Sequence, residues 1–290
     1  PAKYHFKSLA RLFAERLLDP VTKSEVVIGL DAQKGAGKSV SSLKLAEDVA
    51  KELSLIEYGD TSHALEYFNP LTNIAIITDE SIHNVLKNLM KEHQVLILDD
   101  AGNSIGNRDA QTRSNKLIVK LMQTIRIKSC CFIISCPDLY MVDKQLRDLC
   151  THHMHVEESF HEEGFNLISC KKIWQVPRLG KKEIYLNARE CGSFELGARS
   201  VIITRWKFGK PSKKTNDLYD QLRLELTEQQ IKDTNKLLQK EREKSGLEEE
   251  ISAESMERDG KAVEFARRVM NGEFSEKEAA AKSMLSTYRI

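Results

Sequence analysis

The sequence predicts an α/β protein with a mostly parallel sheet, helices on both of its faces, a small β-containing extension and C-terminal helices. Short apolar runs rich in β-branched residues, such as "EVVIGL", alternate with helical patterns as far as about residue 158, which is typical of parallel sheets. Beyond that point the alternation stops, and "FNLISCKKIWQV" and "KKEIYLNA" look like an antiparallel pair. With 290 residues, of which 41% are hydrophobic, the chain can bury one large core and carry appendages.

Each predicted element follows from its local pattern. Apolar residues at helical spacing predict an amphipathic helix over Lys7–Asp19, which ends before Pro20. Apolar runs predict the strands Glu25–Leu30, Asn73–Thr78, Gln94–Asp100, Cys130–Cys136, "HHMHV" and Ser200–Phe208. Helical spacing predicts the helices Ser39–Leu53, Asp79–His93, Asn115–Ser129, a short one in "KQLRDLC" and a long charged one over roughly Asn216–Lys244.

These elements predict five segments along the chain. They are an N-terminal helix (1–23), an α/β core (24–158), a basic β-rich extension (159–215), a charged helix with an acidic hinge (216–260) and a helical tail (261–290). The tail, with "EFARRVM", "SEKEAAAK" and "STYRI", has features of a helix-turn-helix that is cut short at Ile290.

Charge and cysteine content limit the possible partners and compartment. The net charge of +1 argues against a global attraction to nucleic acid or acidic membranes, but Lys171–Lys214 holds 12 Lys and Arg against three Glu and no Asp, a local net of +9. That run is either a solvated face or a surface for a polyanion. Six cysteines without a C-x-x-C pair, no signal peptide and no apolar run near 18 residues predict a cytoplasmic protein without a membrane span.

The stretch "VVIGLDAQKGAGKSV" predicts a phosphate-binding loop between the first strand and its helix. It matches G-x-x-x-x-G-K-[ST] with Ala32 in place of the first glycine. Gly35 and Gly37 let the backbone approach an anion at a helix N-terminus, Lys38 adds a cation for the β- and γ-phosphates, and the Ser39 hydroxyl suits Mg²⁺. The residues expected to bind ATP are Gln33, Lys34, Gly35, Ala36, Gly37, Lys38, Ser39 and Val40.

Polar side chains also end two of the predicted strands. Asp99 and Asp100 follow "VLIL" at the carboxyl end of a strand, where open α/β sheets bind ligands. We expect Asp99 to hold Mg²⁺ with Ser39 and Asp100 to orient or deprotonate the attacking water, unless Asp100 only caps the next turn. Ser135 ends the next strand and is a candidate to bind the γ-phosphate or the water, or else a satisfied strand-end serine.

Four arginines could complete the site of a neighbouring copy as an arginine finger. They are Arg108, Arg113, Arg126 and Arg147. Arg126, which lies just before the strand that ends in Ser135, and Arg147, which lies beyond that strand, are favoured. Each could equally be an ordinary surface arginine.

The stretch "LILDDAGNSIGNRDAQTRSNKLIVKLMQTIRIKSCCFIISCPDLYMVDKQLRDL" resembles the additional-strand P-loop ATPases of the HerA/FtsK superfamily. Within that superfamily it is similar to the DNA-transfer and packaging ATPases of plasmids and viruses and to zonular-occludens-toxin-like proteins. The resemblance covers roughly residues 24–158 and rests on paired Asp99–Asp100, the polar helix near Arg126, the strand that ends in Ser135 and "VDKQLR". It implies a RecA-like core with Walker A and Walker B elements, Mg-ATP hydrolysis, action on DNA and assembly into a ring.

Other functions remain open at this point. One alternative is an AAA+ helicase loader, and another is an assembly factor that ATP binding switches on and that hydrolyses ATP slowly. Both would share the paired carboxylates. The strands after Glu158 argue against the helical lid of an AAA+ protein. A regulator could bind DNA through the tail, and GTP could replace ATP because no base-specificity motif is visible. "CTHHMHV" contains Cys150, His153 and His155, which are zinc-type ligands, but an edge strand with exposed imidazoles is the favoured interpretation.

Overall fold

The computed structural model describes residues 7–21, 24–33, 35–76, 91–99, 128–142, 144–176, 180–187, 190–191 and 202–244. The chain divides into two compact units, Pro1–Thr227 and Glu228–Ile290. In the second unit, the described residues are the last part of one long helix. No helix among the described residues is both long and apolar enough to cross a membrane.

The first unit contains a mixed sheet with helices between its strands. Its strands are β1 (Val26–Asp31), β2 (Ile74–Ile76), β3 (Val95–Asp99), β4 (Cys131–Cys136), β5 (His152–Phe160), β6 (Phe165–Val176), β7 (Gly180–Asn187), β8 (Ile202–Ile203) and β9 (Trp206–Gly209). The helices are α1 (Leu9–Leu17), α2 (Lys38–Tyr58), α3 (Ala64–Tyr67), α4 (Pro70–Asn73), α5 (Lys144–Leu149) and α6 (Lys213–Lys244), with a 3₁₀ turn at Leu139–Met141.

The N-terminal half of the sheet is parallel, as the sequence predicts. Its strand order is β2-β3-β4-β1-β5, and β1 pairs in parallel with β4 on one side and with β5 on the other. β4 therefore lies between the strand that precedes the glycine loop and the strand that ends in Asp99. The carboxyl ends of β1, β3 and β4 meet at one edge of the sheet, where ligands bind in open α/β folds.

The second half of the sheet is antiparallel and continues the same sheet. β6 pairs with β5 through a tight hairpin, then with β7, and its first residues pair with β9. The single strand predicted over Ser200–Phe208 is wrong, because the chain forms two short strands there: β8 pairs with β7 and β9 pairs with β6. The edge-strand interpretation of "HHMHV" is also wrong, because β5 lies between β1 and β6.

Alternate residues of the central strands enter two separate cores. In β3, Val95 and Ile97 pack on the face covered by α1 and α2, whereas Leu96 and Leu98 pack on the face covered by the 3₁₀ turn and α5. A strand that is buried on both faces has a continuous apolar sequence. The predicted bounds of β1, β3 and β4 therefore lie within a residue or two of the observed bounds. Two predicted helices, Asp79–His93 and Asn115–Ser129, lie almost wholly outside the described residues, as does the whole tail 261–290.

Candidate functional site

The glycine loop leaves β1 and enters α2 through two left-handed residues. Gly35 has a φ of +84° and Gly37 a φ of +80°, a region that residues with a Cβ seldom adopt. The Ala36 N–H donates to the Gln33 carbonyl at 3.1 Å, and the Ser41 N–H donates to the Gly37 carbonyl at 2.9 Å as the first bond of the helix. The two glycines that the sequence singled out are thus the residues that turn the chain into the N-terminus of a 21-residue helix.

Asp99 is the centre of the site. Its side chain is buried at the end of β3, where Oδ1 accepts hydrogen bonds from Ser39 Oγ at 3.3 Å and from Ser135 Oγ at 2.7 Å. Oδ2 accepts a third hydrogen bond, from Tyr219 Oη at 2.5 Å. The fold therefore brings together three residues that sequence reasoning proposed from separate motifs, and adds one that it did not propose.

Asn166, at the start of β6, supports the loop from the outside. Its Nδ2 donates to the Ser41 hydroxyl at 2.8 Å and to the Gly37 carbonyl at 3.3 Å, while its Oδ1 accepts from the Ser159 hydroxyl at 2.6 Å. A Cβ placed on Gly37 would lie 2.6 Å from Asn166 Nδ2. Gly37 is therefore required both for its φ and for this close approach.

The start of α6 is fixed over the same site. Glu47 on α2 accepts hydrogen bonds from the Ser212 N–H at 2.9 Å and from the Thr215 hydroxyl at 3.2 Å, and one turn later Tyr219 reaches Asp99. Burial raises the pKa of Tyr219 well above its ordinary value, and the charge of Asp99 adds to the rise, so the phenol acts as a hydrogen-bond donor. No local pattern in the charged sequence of α6 could have revealed this contact.

The remaining predicted site residues fall into two groups. Lys34, Asp100 and Arg126 lie outside the described residues. Arg147 lies on α5, on the sheet face opposite α2, where its guanidinium is 5.2 Å from the centre of the Tyr140 ring. Its role in a neighbouring copy stays a prediction.

A polar cluster closes the end of β1 on the face opposite α2. Asp31 Oδ2 lies 3.0 Å from His153 Nε2, and Oδ1 lies 2.5 Å from His155 Nδ1; His153 Nδ1 lies 2.7 Å from a carboxylate oxygen of Glu183. Burial alone would lower the pKa of His153, but Asp31 and Glu183 outweigh it and raise that pKa. Among the described residues no group of His, Cys, Asp and Glu can hold a metal ion. All six cysteines are free and buried, as expected of small apolar residues.

The raised pKa of His153 predicts a pH-dependent stability. Protonated His153 stabilises the fold fully below its ordinary pKa of about 6.5, and this contribution is lost as pH rises through the higher folded pKa. The pKa of Asp31 is lowered in the fold, so its contribution to stability is lost at acid pH instead. Between pH 6.5 and 8, the free energy of unfolding should therefore fall further in the wild type than in His153→Gln. Equal falls in denaturant titrations of the two proteins would contradict this account.

The geometry has the chemistry of a phosphate and metal site. The backbone of the loop opens at a helix N-terminus, which favours anions. The Ser39 hydroxyl and the Asp99 carboxylate, 3.3 Å apart, are hard oxygen ligands of the kind that Mg²⁺ prefers. These residues fit Mg²⁺ bound beside a nucleotide phosphate.

No protein-family model and no curated protein matches the sequence. Several solved structures are similar, among them the following three. The N-terminal domain of zonular occludens toxin from Neisseria meningitidis is 16% identical, with 68% of this chain and 99% of that chain covered and a TM-score of 0.34. The genome packaging NTPase B204 from Sulfolobus turreted icosahedral virus 2, in complex with ATP-gammaS, is 11% identical. The match covers 56% of this chain and 97% of that chain, with a TM-score of 0.35. The flagellar accessory protein FlaH from Methanocaldococcus jannaschii is 14% identical. That match covers 63% of this chain and 100% of the other chain, with a TM-score of 0.29.

The fold assignment rests on strand order and loop geometry. β4 lies between β1 and β3, and the glycine loop enters α2 directly after β1. The chain therefore has a RecA-like P-loop NTPase fold.

Proposed function

We propose that this protein is an Mg-ATP-dependent P-loop ATPase that acts on DNA. The observation that carries the proposal is the junction of Ser39, Asp99 and Ser135, which joins the glycine loop to the ends of β3 and β4 through hydrogen bonds of 3.3 and 2.7 Å. These are the positions at which P-loop NTPases hold the metal and sense the γ-phosphate.

Each residue has a separate task in the proposed site. The amides from Gln33 to Ser39 bind the phosphates, with Val40 at the end of this segment, and Lys38 neutralises the β- and γ-phosphates. Ser39 and Asp99 would hold Mg²⁺, which neutralises charge on the transferring phosphoryl group when it is bound. Ser135 orients the γ-phosphate or the attacking water, and Asp100, outside the described residues, is the proposed base.

The proposal of DNA as partner is supported by the basic segment and by the sequence resemblance. Part of the positive charge is neutralised in the fold by ion pairs. These are Lys171–Glu183, Lys172–Glu190, Lys181–Asp148 and Arg205–Glu157. Lys182 on β7 is exposed and has no ion pair among the described residues. Lys207 on β9 is also exposed, but it lies over the Phe165 ring. Cations of this kind are the ones available for phosphates of a nucleic acid.

DNA binding should weaken with rising salt concentration and with the loss of Lys182. Lys182→Gln should weaken DNA binding and lower the slope of log affinity against log salt by about one. Lys171→Gln, which removes a cation already paired with Glu183 at 3.2 Å, should change the slope less. The measurement is a DNA-binding titration at several salt concentrations, together with ATP turnover with and without DNA. An affinity that does not change with salt would contradict the DNA proposal.

The ring assembly is part of the same proposal. Particle images of the full chain with a non-hydrolysable ATP analogue should show closed rings with a central hole, whereas monomers would favour a switch. Arg126 and Arg147 remain the arginines proposed to reach a neighbouring site.

The contact between α6 and Asp99 favours a second function, that of an ATP-switched binding protein. Tyr219 holds one oxygen of the carboxylate that is proposed to hold Mg²⁺. Binding of the metal and release of Tyr219 would then be linked, and α6 would respond to the nucleotide. In this case hydrolysis would be slow, and partner binding would depend on ATP without movement along DNA.

Tyr219→Phe tests this linkage. The change removes a hydrogen bond to a charged group, worth about 1.5–3 kcal/mol, without changing the packing of the ring. We expect affinity for ADP in the presence of Mg²⁺ to rise severalfold and affinity without Mg²⁺ to stay the same, as measured by calorimetry. Tyr185→Phe, on β7, is the matched control. Weaker binding of Mg-ADP by Tyr219→Phe would show that the phenol supports the loaded site, contrary to the switch.

A further inference from the structure

A cavity of about 460 Å³ lies beside the glycine loop. Gly37 and Val40 form one wall, the β5–β6 hairpin forms a second, and the connection from β9 into α6 forms a third. Its volume is within the range of roughly 300–1,000 Å³ that small-molecule sites occupy. Neither the phosphates nor the metal of the proposed site accounts for a cavity in this position.

The hairpin gives the cavity an aromatic wall. The rings of Phe160 and Phe165 are stacked, with centroids 4.7 Å apart and planes inclined by 19°, and both side chains line the cavity. Nζ of Lys207, on β9, lies 3.8 Å from the centre of the Phe165 ring. Planar heteroaromatic bases bind to proteins by stacking on walls of this kind.

The cavity is continuous with the phosphate loop. Ser39, which bonds Asp99, and Val40, which lines the cavity, are consecutive residues at the start of α2. Asn166 lines the cavity and also donates to the Gly37 carbonyl. A ligand with phosphates on the loop and its metal at Asp99 therefore has the cavity within reach beside the start of α2.

Polar groups complete the wall that α6 provides. Asn216 and Asp217 line the cavity, and Tyr219, on the next turn, contacts Asp99. The same stretch of helix thus borders both ends of the site. Amide and carboxylate side chains can pair with the ring nitrogens, amino groups and hydroxyls of a nucleoside.

We infer that this cavity receives the base and ribose of the nucleotide, with the base against the Phe160–Phe165 pair. The inference rests on the proposed function, since it assigns the phosphates of the same molecule to the glycine loop. It places the selection of the base in the β5–β6 hairpin and the start of α6, outside the segments that resemble other ATPases.

The test compares ADP with inorganic pyrophosphate, which has no base, in calorimetric titrations of the full chain. Phe165→Ala removes one ring of the aromatic wall together with the support that it gives to Phe160, and it should weaken ADP binding about tenfold while pyrophosphate binding changes less than about twofold. Gly209→Trp fills the cavity and deletes no side chain, since a Cβ at Gly209 meets no atom of the described residues within 4 Å. It should weaken ADP binding at least as much and leave pyrophosphate unaffected.

One control variant lies away from the cavity. Tyr140→Ala removes an aromatic ring from a different cavity and should bind ADP as the wild type does. Unchanged ADP binding in Phe165→Ala and Gly209→Trp would overturn the inference, as would equal weakening of ADP and pyrophosphate in both. A wild type that binds neither compound would instead refute the proposed function itself, which is a distinguishable result. GTP and ATP titrations would then rank the bases that the cavity accepts.

Discussion

Lys38→Ala should lower ATP turnover by about a hundredfold or more, because it removes the cation that meets charge on the transferring phosphoryl group in a buried site. Lys38 is the first residue of α2 and follows the left-handed Gly37 directly. The measurement is steady-state phosphate release by the full chain at saturating ATP, with folding checked by thermal denaturation.

Lys44→Ala is the matched control for Lys38→Ala. Lys44 lies in the same helix and forms an i,i+4 pair with Asp48 at 2.6 Å, which contributes only about 0.3–0.5 kcal/mol. Its loss should leave turnover within about twofold of the wild type, since it does not reach the loop. Turnover by Lys38→Ala that equals that of the wild type would remove the loop from catalysis.

Gly37→Ala should abolish nucleotide binding, whereas Gly35→Ala should weaken it far less. Both changes impose a Cβ on a left-handed residue, at a strain of about 1–3 kcal/mol. At Gly35 the new Cβ meets no atom of the described part of the chain within 4 Å, but at Gly37 it would lie 2.6 Å from Asn166 Nδ2. Either the loop or the Asn166 side chain must therefore shift in Gly37→Ala. Calorimetry with ADP and denaturant unfolding of both variants provide the measurement.

A double variant separates strain from collision at Gly37. Asn166→Ala removes the side chain that the new Cβ would meet, so adding it to Gly37→Ala should restore part of the lost ADP affinity. Asn166→Ala alone should weaken binding, because it deletes the bonds to Gly37 and Ser41. Equal ADP affinities of Gly35→Ala and Gly37→Ala would show that Asn166 does not constrain the loop.

The parts of the site that the sequence predicts are those with a strong local pattern. The glycines between β1 and α2, and Asp99 and Ser135 at the ends of fully buried strands, follow from residue type and spacing over short stretches. Their meeting at one edge could be expected because parallel strands end on the same side of a sheet. β1, β3 and β4 were located closely because both of their faces are buried.

The parts of the site that the sequence does not predict depend on contacts between distant segments of the chain. Asn166 and Tyr219 lie 129 and 120 residues away from their partners Gly37 and Asp99, and nothing in their neighbourhoods marks them as site residues. The sequence pattern predicts an edge strand for the histidines of β5, because the alternation of residues in one strand does not show that β5 pairs with β6. His153 instead faces Asp31, the last residue of β1.

A structure of the full chain with Mg²⁺ and a non-hydrolysable ATP analogue is the most direct test of the central claim that the glycine loop and Asp99 form one nucleotide site. The account predicts phosphate oxygens within hydrogen-bond distance of the amides of Gly35 to Ser39, with the metal beside Ser39 and Asp99. Phosphates bound elsewhere, or a metal that is remote from Asp99, would contradict it.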